Sequence, residues 1–256
     1  MSILDSIILG LVEGLTEFLP VSSTGHLILA GELLQIPQTE FLKSFDIAIQ
    51  LGAILAVVAL YFRSFFDIEL IKRLLIAFIP TGVIGFTVYP VVKSYLLGNE
   101  AVVLWALFLG GAALIAFELL HTEQVEASDE VSTITYKQAA LVGLFQALAV
   151  VPGISRSAAT IVGGLLLGLH RTTIVEFSFL LAVPTMIAAT GYDILKNASS
   201  FSGDNTSALA VGFVTSFVVA LLAIKFFLSF VRTHSFIPFG IYRIVIAVLF
   251  FFFILR

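Results

Sequence analysis

The stretch that decides the fold is Leu19-Pro20-Val21-Ser22-Ser23-Thr24-Gly25, which interrupts an apolar segment at residues 6–34. A second apolar segment, residues 139–169, is interrupted by Val151-Pro152-Gly153-Ile154-Ser155-Arg156-Ser157. Proline lacks a backbone donor and glycine permits a tight turn, so each segment is predicted to form two helices of roughly 12 to 15 residues. Such helices are shorter than a membrane crossing requires. Broken backbone at membrane depth needs protein or a polar cavity around it, so both segments are predicted to be re-entrant helical hairpins.

Composition places these hairpins in a membrane protein. The chain has 256 residues, of which 59% are hydrophobic and 12% are charged, and its mean hydropathy is +1.11. A soluble domain carries about 25% charged residues, so this composition excludes soluble globular, disordered and disulfide-scaffold proteins. The absence of cysteine excludes thiol catalysis. The net charge of −4, without a basic block, gives no indication of nucleic-acid binding.

Three apolar segments follow each hairpin, and each is long enough to cross a bilayer. The halves also repeat, since Gly10-Leu11-Val12-Glu13-Gly14-Leu15 aligns with Gly143-Leu144-Phe145-Gln146-Ala147-Leu148. We therefore predict an all-α integral membrane protein with six transmembrane helices and two re-entrant helical hairpins in an inverted-topology repeat. It forms a single membrane domain, residues 1–256, with repeats 1–121 and 138–256 joined by an acidic loop, 122–137. The predicted spans are residues 45–62, 74–92, 101–120, 177–192, 208–227 and 237–255.

The distribution of Lys and Arg between the connecting loops favours extracytoplasmic termini. In an inverted repeat the two hairpins are expected to meet near the bilayer midplane, and binding sites in such folds form there.

The first hairpin carries two acidic residues, Glu13 and Glu17, on one helix face. Two carboxylates in a low-dielectric site repel each other and need a cation or a shared proton. A site for a divalent cation, Mg²⁺ or Ca²⁺, is the favoured interpretation, because hard cations select oxygen ligands. The alternative is a helix at the membrane interface with both acids in water.

Hydroxyl groups and a histidine follow the first break, in Ser22-Ser23-Thr24-Gly25-His26. Ser23 and His26 are three residues apart, so they are expected to face the same way on a helix. A hydroxyl beside an imidazole is a usable nucleophile and base, or nucleophile and acid. The alternative is that Ser22 or Ser23 only caps the helix; one serine capping while the other reacts is a third arrangement.

The second break has the character of a phosphate-binding loop. Gly153 leads into a helix N-terminus, where unpaired backbone N–H groups and the positive end of the helix dipole favour anions. Ser155, Ser157 and Thr160 add hydroxyl donors, and Arg156 adds a planar fork suited to phosphate. The alternative is that Arg156 forms a structural salt bridge with one of the acids of the first hairpin.

Other polar residues in the apolar segments are expected to support the structure. Asp46, Gln50 and Arg243 lie within or near spans and are expected to hold helices together. Gln146 occupies the position in the second repeat that Glu13 has in the first, and either orients the site or satisfies a neighbouring helix.

Acids that bind a divalent cation and face phosphate donors describe a phosphoryl-transfer site. A site that opens to the bilayer indicates a lipid phosphate or diphosphate as the substrate. These two inferences follow from the residues and their spacing.

The motif from Glu13 to His26 and the motif Pro152-Gly153-Ile154-Ser155-Arg156-Ser157 with Thr160 closely resemble the signatures of the undecaprenyl-diphosphate phosphatase (bacitracin-resistance) family. The resemblance covers essentially the whole chain. It implies a multi-pass enzyme of the bacterial plasma membrane that hydrolyses undecaprenyl diphosphate to the monophosphate and phosphate, with the active site facing the extracytoplasmic side. This reaction recycles the lipid carrier for cell-wall synthesis and confers bacitracin resistance.

By position, the resemblance places Glu13 and Glu17 in the family's acidic motif, Ser23 and His26 in its catalytic stretch, and Arg156 in its phosphate loop. We predict catalytic roles for Glu17, Ser23, His26 and Arg156, and metal binding by Glu13 with Glu17. Our hypothesis is that Ser23 attacks the terminal phosphorus while His26 serves as general acid or base; in the rival version, water attacks directly. The predicted substrate-binding residues are Ser22, Thr24, Gly153, Ser155, Arg156, Ser157 and Thr160.

Two other classes of protein share parts of this pattern. A histidine-nucleophile lipid phosphatase is a poor match, because Val162 stands where that pattern expects a histidine. A transporter or flippase for an anionic polyprenyl lipid is the non-enzyme alternative, because inverted repeats with broken helices are typical of transporters. The expected partners are the polyprenyl diphosphate substrate and membrane lipids, and a homodimer is left open.

Overall fold

The computed structural model describes residues 1–96, 99–122, 130–196 and 206–253, and the regular structure in those ranges is entirely helical. Short 3₁₀ segments occur at Phe62–Phe66, Val131–Thr133 and Leu148–Val150, and a π-helical turn occurs at Val92–Leu96. The α-helices are α1 (Ile3–Thr16), α2 (Ser23–Leu33), α3 (Glu40–Leu60), α4 (Ile68–Val91), α5 (Glu100–Leu120), α6 (Tyr136–Ala147), α7 (Arg156–Leu166), α8 (Arg171–Lys196), α9 (Thr206–Val231) and α10 (Ile237–Phe253).

Both predicted breaks are present, and each separates two short helices. Helices α1 and α2 contain 14 and 11 residues, and α6 and α7 contain 12 and 11. Helices α1 and α6 begin three residues before the predicted segments, because capping boxes start them: Ser2 with Asp5, and Thr135 with Gln138. Capping satisfies the first backbone N–H groups, so the helices extend beyond the apolar run.

Among the residues that the structure describes, five helices are long and apolar enough to cross a membrane: α3, α4, α5, α8 and α9. The chain is therefore an all-helical integral membrane protein. Helix α10, the sixth predicted span, is a shorter apolar helix of 17 residues. Residues 123–129 of the predicted acidic loop lie outside the described residues, as do residues 254–255 of the last predicted span.

Each short helix that precedes a break packs against a long helix of the other half of the chain. Helix α1 packs on α9, where a Cβ added at Gly10 would lie 2.7 Å from the carbonyl oxygen of Gly212. Helix α6 packs on α4, and Gly143 lies directly against the backbone of Ala77. Small residues permit this close approach between membrane helices. Because each short helix packs on the other half of the chain, the ends of α1 and α6 lie in the same region. Both breaks therefore lie there as well.

Aromatic side chains anchor the first break in the protein interior. Phe18, next to the break, is completely buried, and its ring lies 5.3 Å from that of Phe179 in α8. The ring of Phe179 in turn lies 6.0 Å from that of Phe227 in α9. Because this packing fixes Phe18, it also fixes the position of the neighbouring Glu17 backbone.

Candidate active site

Three functional side chains meet where short helices begin or end. Glu17 directly follows α1, Ser23 begins α2 and Arg156 begins α7. The hydroxyl of Ser23 donates a hydrogen bond to Oε2 of Glu17, and Nη2 of Arg156 lies 3.4 Å from Oε1 of the same carboxylate. All three side chains are largely buried. The two breaks thus bring an acid, a hydroxyl and a guanidinium into one cluster.

A cavity of about 260 Å³ opens onto this cluster. Its walls come from both breaks and from α3 and α8. Of the residues predicted to bind substrate, Ser22, Thr24, Gly153, Ser155 and Arg156 line it. The complete lining is Glu17, Ser22, Ser23, Thr24, Gln50, Ala149, Val151, Pro152, Gly153, Ser155, Arg156, Met186 and Ala189.

The two breaks share an unusual backbone conformation. Ser22 and Ser155 have φ values of 72° and 78°, a left-handed region that L-residues other than Asn and Asp rarely adopt. Each serine is the N-cap of the following helix: Ser22 Oγ accepts from the backbone N–H of Gly25 at 3.4 Å, and Ser155 Oγ accepts from that of Ala158 at 3.2 Å. Such strain costs on the order of 1–3 kcal/mol and is concentrated at functional sites.

This geometry separates the roles of the two adjacent serines. Ser22 caps α2, whereas Ser23 uses its hydroxyl to contact Glu17. Ser22 is therefore the capping serine, which excludes Ser23 as the cap, and a reaction at Ser23 stays a prediction.

The guanidinium of Arg156 is held on several sides. Nη1 donates to the carbonyl oxygen of Ser178 at 2.8 Å, Nη2 faces Glu17, and the guanidinium carbon lies 6.0 Å from the ring centre of Phe18. Nε is buried and has no hydrogen-bond partner among the described residues. Arg156 therefore forms the salt bridge with Glu17 that was considered as an alternative role, and it lines the cavity as well.

Ser157 and Thr160 do not line the cavity, although the sequence placed them among the substrate-binding residues. Both are completely buried. Ser157 donates to the carbonyl oxygen of Phe18 at 2.8 Å, and the hydroxyl of Thr160 lies 2.6 Å from that of Ser178. In this structure they tie α7 to the first break and to α8.

His26 also has partners other than those expected from the sequence. Its Nδ1 lies 2.7 Å from the carbonyl oxygen of Ser22, its Nε2 lies 2.9 Å from the hydroxyl of Tyr242, and its ring is stacked on that of Tyr242. It is absent from the cavity lining. The hydrogen-bonded partner of Ser23 is Glu17 and not His26, because the turn before α2 directs Ser23 towards the end of α1.

Glu13 is completely buried one helical turn before Glu17. Neither of its carboxylate oxygens has a hydrogen-bond partner among the described residues. The charged groups that act on it are Glu17, Asp46 and Arg156. A buried carboxylate without a partner is costly unless a cation or proton neutralises it, so Glu13 fits the predicted role of a cation ligand or proton carrier.

The donor set limits which cation would fit. Within the described ranges, no group of three or more His, Asp or Glu side chains is arranged to hold a metal ion. Ca²⁺ takes six to eight oxygen ligands, whereas Mg²⁺ is commonly held by one or two carboxylates together with substrate phosphates. Two carboxylates match the donor number of a Mg²⁺ site that substrate completes better than that of an all-protein Ca²⁺ site. Of the two, only Glu17 lines the cavity, so a cation at Glu13 and Glu17 stays a prediction.

Gln146, which takes the place of Glu13 in the second repeat, has a structural environment. Its Nε2 donates to Thr81 at 2.9 Å and to Thr185 at 3.1 Å, joining α6 to α4 and α8.

Arg243 holds both breaks against α5, which confirms its expected role in joining helices. Its side chain is completely buried and donates five hydrogen bonds, all to backbone carbonyl oxygens. The acceptors are Leu107 (3.3 Å) and Ala106 (2.9 Å) in α5, Pro20 (3.3 Å) in the first break, and Gly153 and Ile154 (3.0 Å each) in the second.

Sequence reasoning missed two contributors to the site, Ser178 and Tyr242. Ser178 supplies both an acceptor for Arg156 and a partner for Thr160. The available signal was a single serine within the apolar run Phe177 to Val183. Tyr242 lies beside Arg243, and its contact with His26 depends on tertiary packing between α2 and α10 that the sequence pattern does not show.

The fold and the site together define a class: polytopic helical membrane proteins in which two broken helices bring charged side chains together inside the protein. The chain belongs to the bacitracin resistance protein BacA family, which matches residues 6–249. It is 56% identical over 251 residues to a protein named undecaprenyl-diphosphatase from a Sulfurihydrogenibium species, covering 98% of this chain and 99% of that one. Proteins of the same name from Persephonella marina and Aquifex aeolicus are 55% and 50% identical, over 100% and 96% of both chains.

Proposed function

We propose that this protein is an undecaprenyl-diphosphatase, which hydrolyses undecaprenyl diphosphate to undecaprenyl phosphate and inorganic phosphate. The observation that carries the proposal is the buried cluster of Glu17, Ser23 and Arg156 at the wall of a cavity between the two breaks. Full-length relatives with that name at 50–56% identity support it. The reaction returns the lipid carrier to cell-wall synthesis, and removal of the diphosphate accounts for bacitracin resistance. These names favour hydrolysis over lipid transport.

In the proposed mechanism, Ser23 is the nucleophile. Its hydroxyl already donates to Glu17, so Glu17 accepts the proton as the Ser23 Oγ attacks the terminal phosphorus. The bond from that phosphorus to the bridging oxygen breaks, and undecaprenyl phosphate leaves with the bridging electron pair. Glu17 then releases the accepted proton to solvent. Water attacks the phosphoserine, the bond from phosphorus to Oγ breaks, and a proton of the water restores the Ser23 hydroxyl as inorganic phosphate leaves.

Arg156 and the start of α7 stabilise the charge that develops on the transferred group. Arg156 offers a fixed guanidinium, and Ser155 and Gly153 present the helix N-terminus to the cavity. His26 is a positioning residue in this mechanism, because its ring binds the carbonyl of Ser22 and so fixes the turn that presents Ser23.

A divalent cation would be held by Glu13 and Glu17 and would supply charge neutralisation at the phosphate oxygens. Its proposed site accounts for the two unpartnered carboxylate oxygens of Glu13.

The proposed setting is the bacterial plasma membrane, with the site open to the extracytoplasmic side. Within the membrane we place six crossings and two re-entrant hairpins in an inverted repeat. The matching φ values and capping roles of Ser22 and Ser155 support the repeat. The reciprocal packing of α1 on α9 and of α6 on α4 also supports it. A homodimer stays open within this proposal.

Release of inorganic phosphate from undecaprenyl diphosphate by the purified protein in detergent tests the function. We expect turnover that a chelator abolishes and Mg²⁺ restores. Absence of phosphate release would overturn the function, and full activity after exhaustive chelation would overturn the cation site alone.

The nucleophile is tested separately by acid quench of the wild type during turnover, followed by mass spectrometry. We expect a phosphate on Ser23, and Ser23→Ala should lose it together with turnover. Substantial turnover by Ser23→Ala would instead support direct attack by water, with Ser23 only binding the substrate.

A further inference from the structure

An apolar groove runs along one face of α5, outside the cavity described above. It has a volume of about 620 Å³, and its walls include Ala106, Leu109 and Ala113 of α5 together with Val151 and Ile154 of the second break. Leu109 is 58% exposed, so this wall faces the bilayer. The small side chains of Ala106 and Ala113 leave room beside the helix, which makes the surface concave.

The groove and the catalytic cavity share a wall. Val151 lines both of them, so its side chain lies between the cavity and the groove. Next to it, Gly153 packs closely on α5, because a Cβ added there would lie 2.8 Å from the Cβ of Ala106. A molecule with its polar end in the cavity and its apolar end in the groove would pass at Val151.

The direction of the groove suits a lipid whose head lies in the cavity. Its walls extend along α5 from Ala101 to Ala113, which is about 18 Å at 1.5 Å per residue. Helix α5 begins at Glu100 and is a candidate membrane span to Leu120, so the groove starts near one end of the span and reaches past its middle. A lipid tail that starts at the polar break and points into the bilayer follows the same course.

We infer that this groove binds the head-proximal part of the polyprenyl chain of the substrate, an inference that rests on the proposed function. The diphosphate lies among Ser23, Arg156 and the start of α7, and the first isoprene units pass Val151 and lie along α5. The groove thereby favours long isoprenoid diphosphates over short ones, because each further isoprene unit that lies in it buries more apolar surface. Ala113, at the far end, is a specificity-determining position.

The test uses the variant Ala113→Phe, which fills the far end of the groove, and the matched control Ala112→Phe. Ala112 is the neighbouring residue, is also exposed, and does not line the groove. Phosphate release is measured in detergent with undecaprenyl diphosphate and with geranyl diphosphate, whose short tail cannot fill the groove. We expect the ratio of kcat/KM for the long substrate to that for the short one to fall about tenfold in Ala113→Phe only.

Trp105 gives a second readout that does not depend on turnover. It is the single tryptophan of the sequence, and its side chain lines the groove. Undecaprenyl phosphate brominated along its first isoprene units should quench Trp105 fluorescence in wild type and in Ala112→Phe. Ala113→Phe should weaken the quenching, and brominated phosphatidylcholine at the same density should quench all three proteins equally.

The outcomes separate this inference from the function on which it rests. If wild type releases no phosphate from either substrate, the proposed function fails. If wild type hydrolyses both but the two variants discriminate equally between chain lengths, the groove assignment is wrong. The same conclusion follows if a bulky substitution at Ala189, on the opposite side of the catalytic cavity, changes the ratio and Ala113→Phe does not.

Discussion

Arg243 is the most heavily bonded side chain of the site, and its replacement by lysine tests whether the site depends on the two breaks being held together. Its five hydrogen bonds reach carbonyl oxygens in α5 and in both breaks. A lysine ammonium has three donors on a single nitrogen, so at least two of these five hydrogen bonds are lost. A hydrogen bond from a charged donor contributes about 1.5–3 kcal/mol, so we expect Arg243→Lys to lower the free energy of unfolding by about 3–6 kcal/mol.

The same change should lower activity more than stability alone explains. Pro20 and Gly153 would no longer be fixed by one side chain, and a displacement of about 1 Å at a reacting group costs on the order of 10²-fold in rate. The assay is thermal unfolding in detergent together with phosphate release well below the unfolding midpoint. Arg232→Lys, at an exposed arginine, is the matched control. If Arg243→Lys keeps both the midpoint and the rate of wild type, the bridging role is refuted.

Two further pairs of variants are informative. Ser22→Ala removes the N-cap and should cost about 1 kcal/mol of stability, with a smaller loss of turnover than Ser23→Ala, which should lose turnover with little change in the unfolding midpoint. Equal rates for the two would contradict the separation of their roles. Gly143→Ala places a methyl group against the backbone of Ala77 and should destabilise the protein by about 1–3 kcal/mol. Gly191→Ala is the control, because a Cβ there has no neighbour within 4 Å, and it should be neutral or stabilising. If Gly143→Ala and Gly191→Ala have similar unfolding midpoints, the close packing of α6 on α4 does not contribute to stability.

The sequence predicted the helix breaks well because Pro20, Pro152 and Gly153 act locally. Gly153 has φ of 95°, a conformation that ends a helix. Proline alone does not end a helix in this chain, since Pro80 and Pro90 lie within α4 and Pro184 lies within α8, so the breaks are marked by proline together with the neighbouring Gly and Ser residues. Helix starts were less well predicted, because Ser2, Thr39 and Thr135 extend helices beyond the apolar runs by capping. Helix α10 begins at the predicted residue, Ile237, and the predicted end at residue 255 lies outside the described residues.

The sequence indicated which residues come together at the site better than it indicated which hydrogen bonds they form. Glu17 and Arg156 are costly at membrane depth, so their presence in two short helices indicated that they meet, and they do. Helical spacing placed Ser23 and His26 on one face, but the turn at Ser22 redirects Ser23 to Glu17, and spacing rules do not describe a residue with φ of 72°. Ser157 and Thr160 are predicted to bind substrate because they carry hydroxyl groups. Only the tertiary structure shows that these hydroxyls form hydrogen bonds with Phe18 and with Ser178 of α8 instead.

The central claim is that the cluster of Glu17, Ser23 and Arg156 carries phosphate release. It is tested most directly by the initial rate of phosphate release from undecaprenyl diphosphate for wild type, Arg156→Gln and Arg63→Gln, the last at an exposed arginine far from the cavity lining. Loss of a fixed donor to developing charge costs about 10²–10³-fold, so we expect at least that fall for Arg156→Gln and wild-type rates for Arg63→Gln. Near-normal turnover by a folded Arg156→Gln protein would contradict the account.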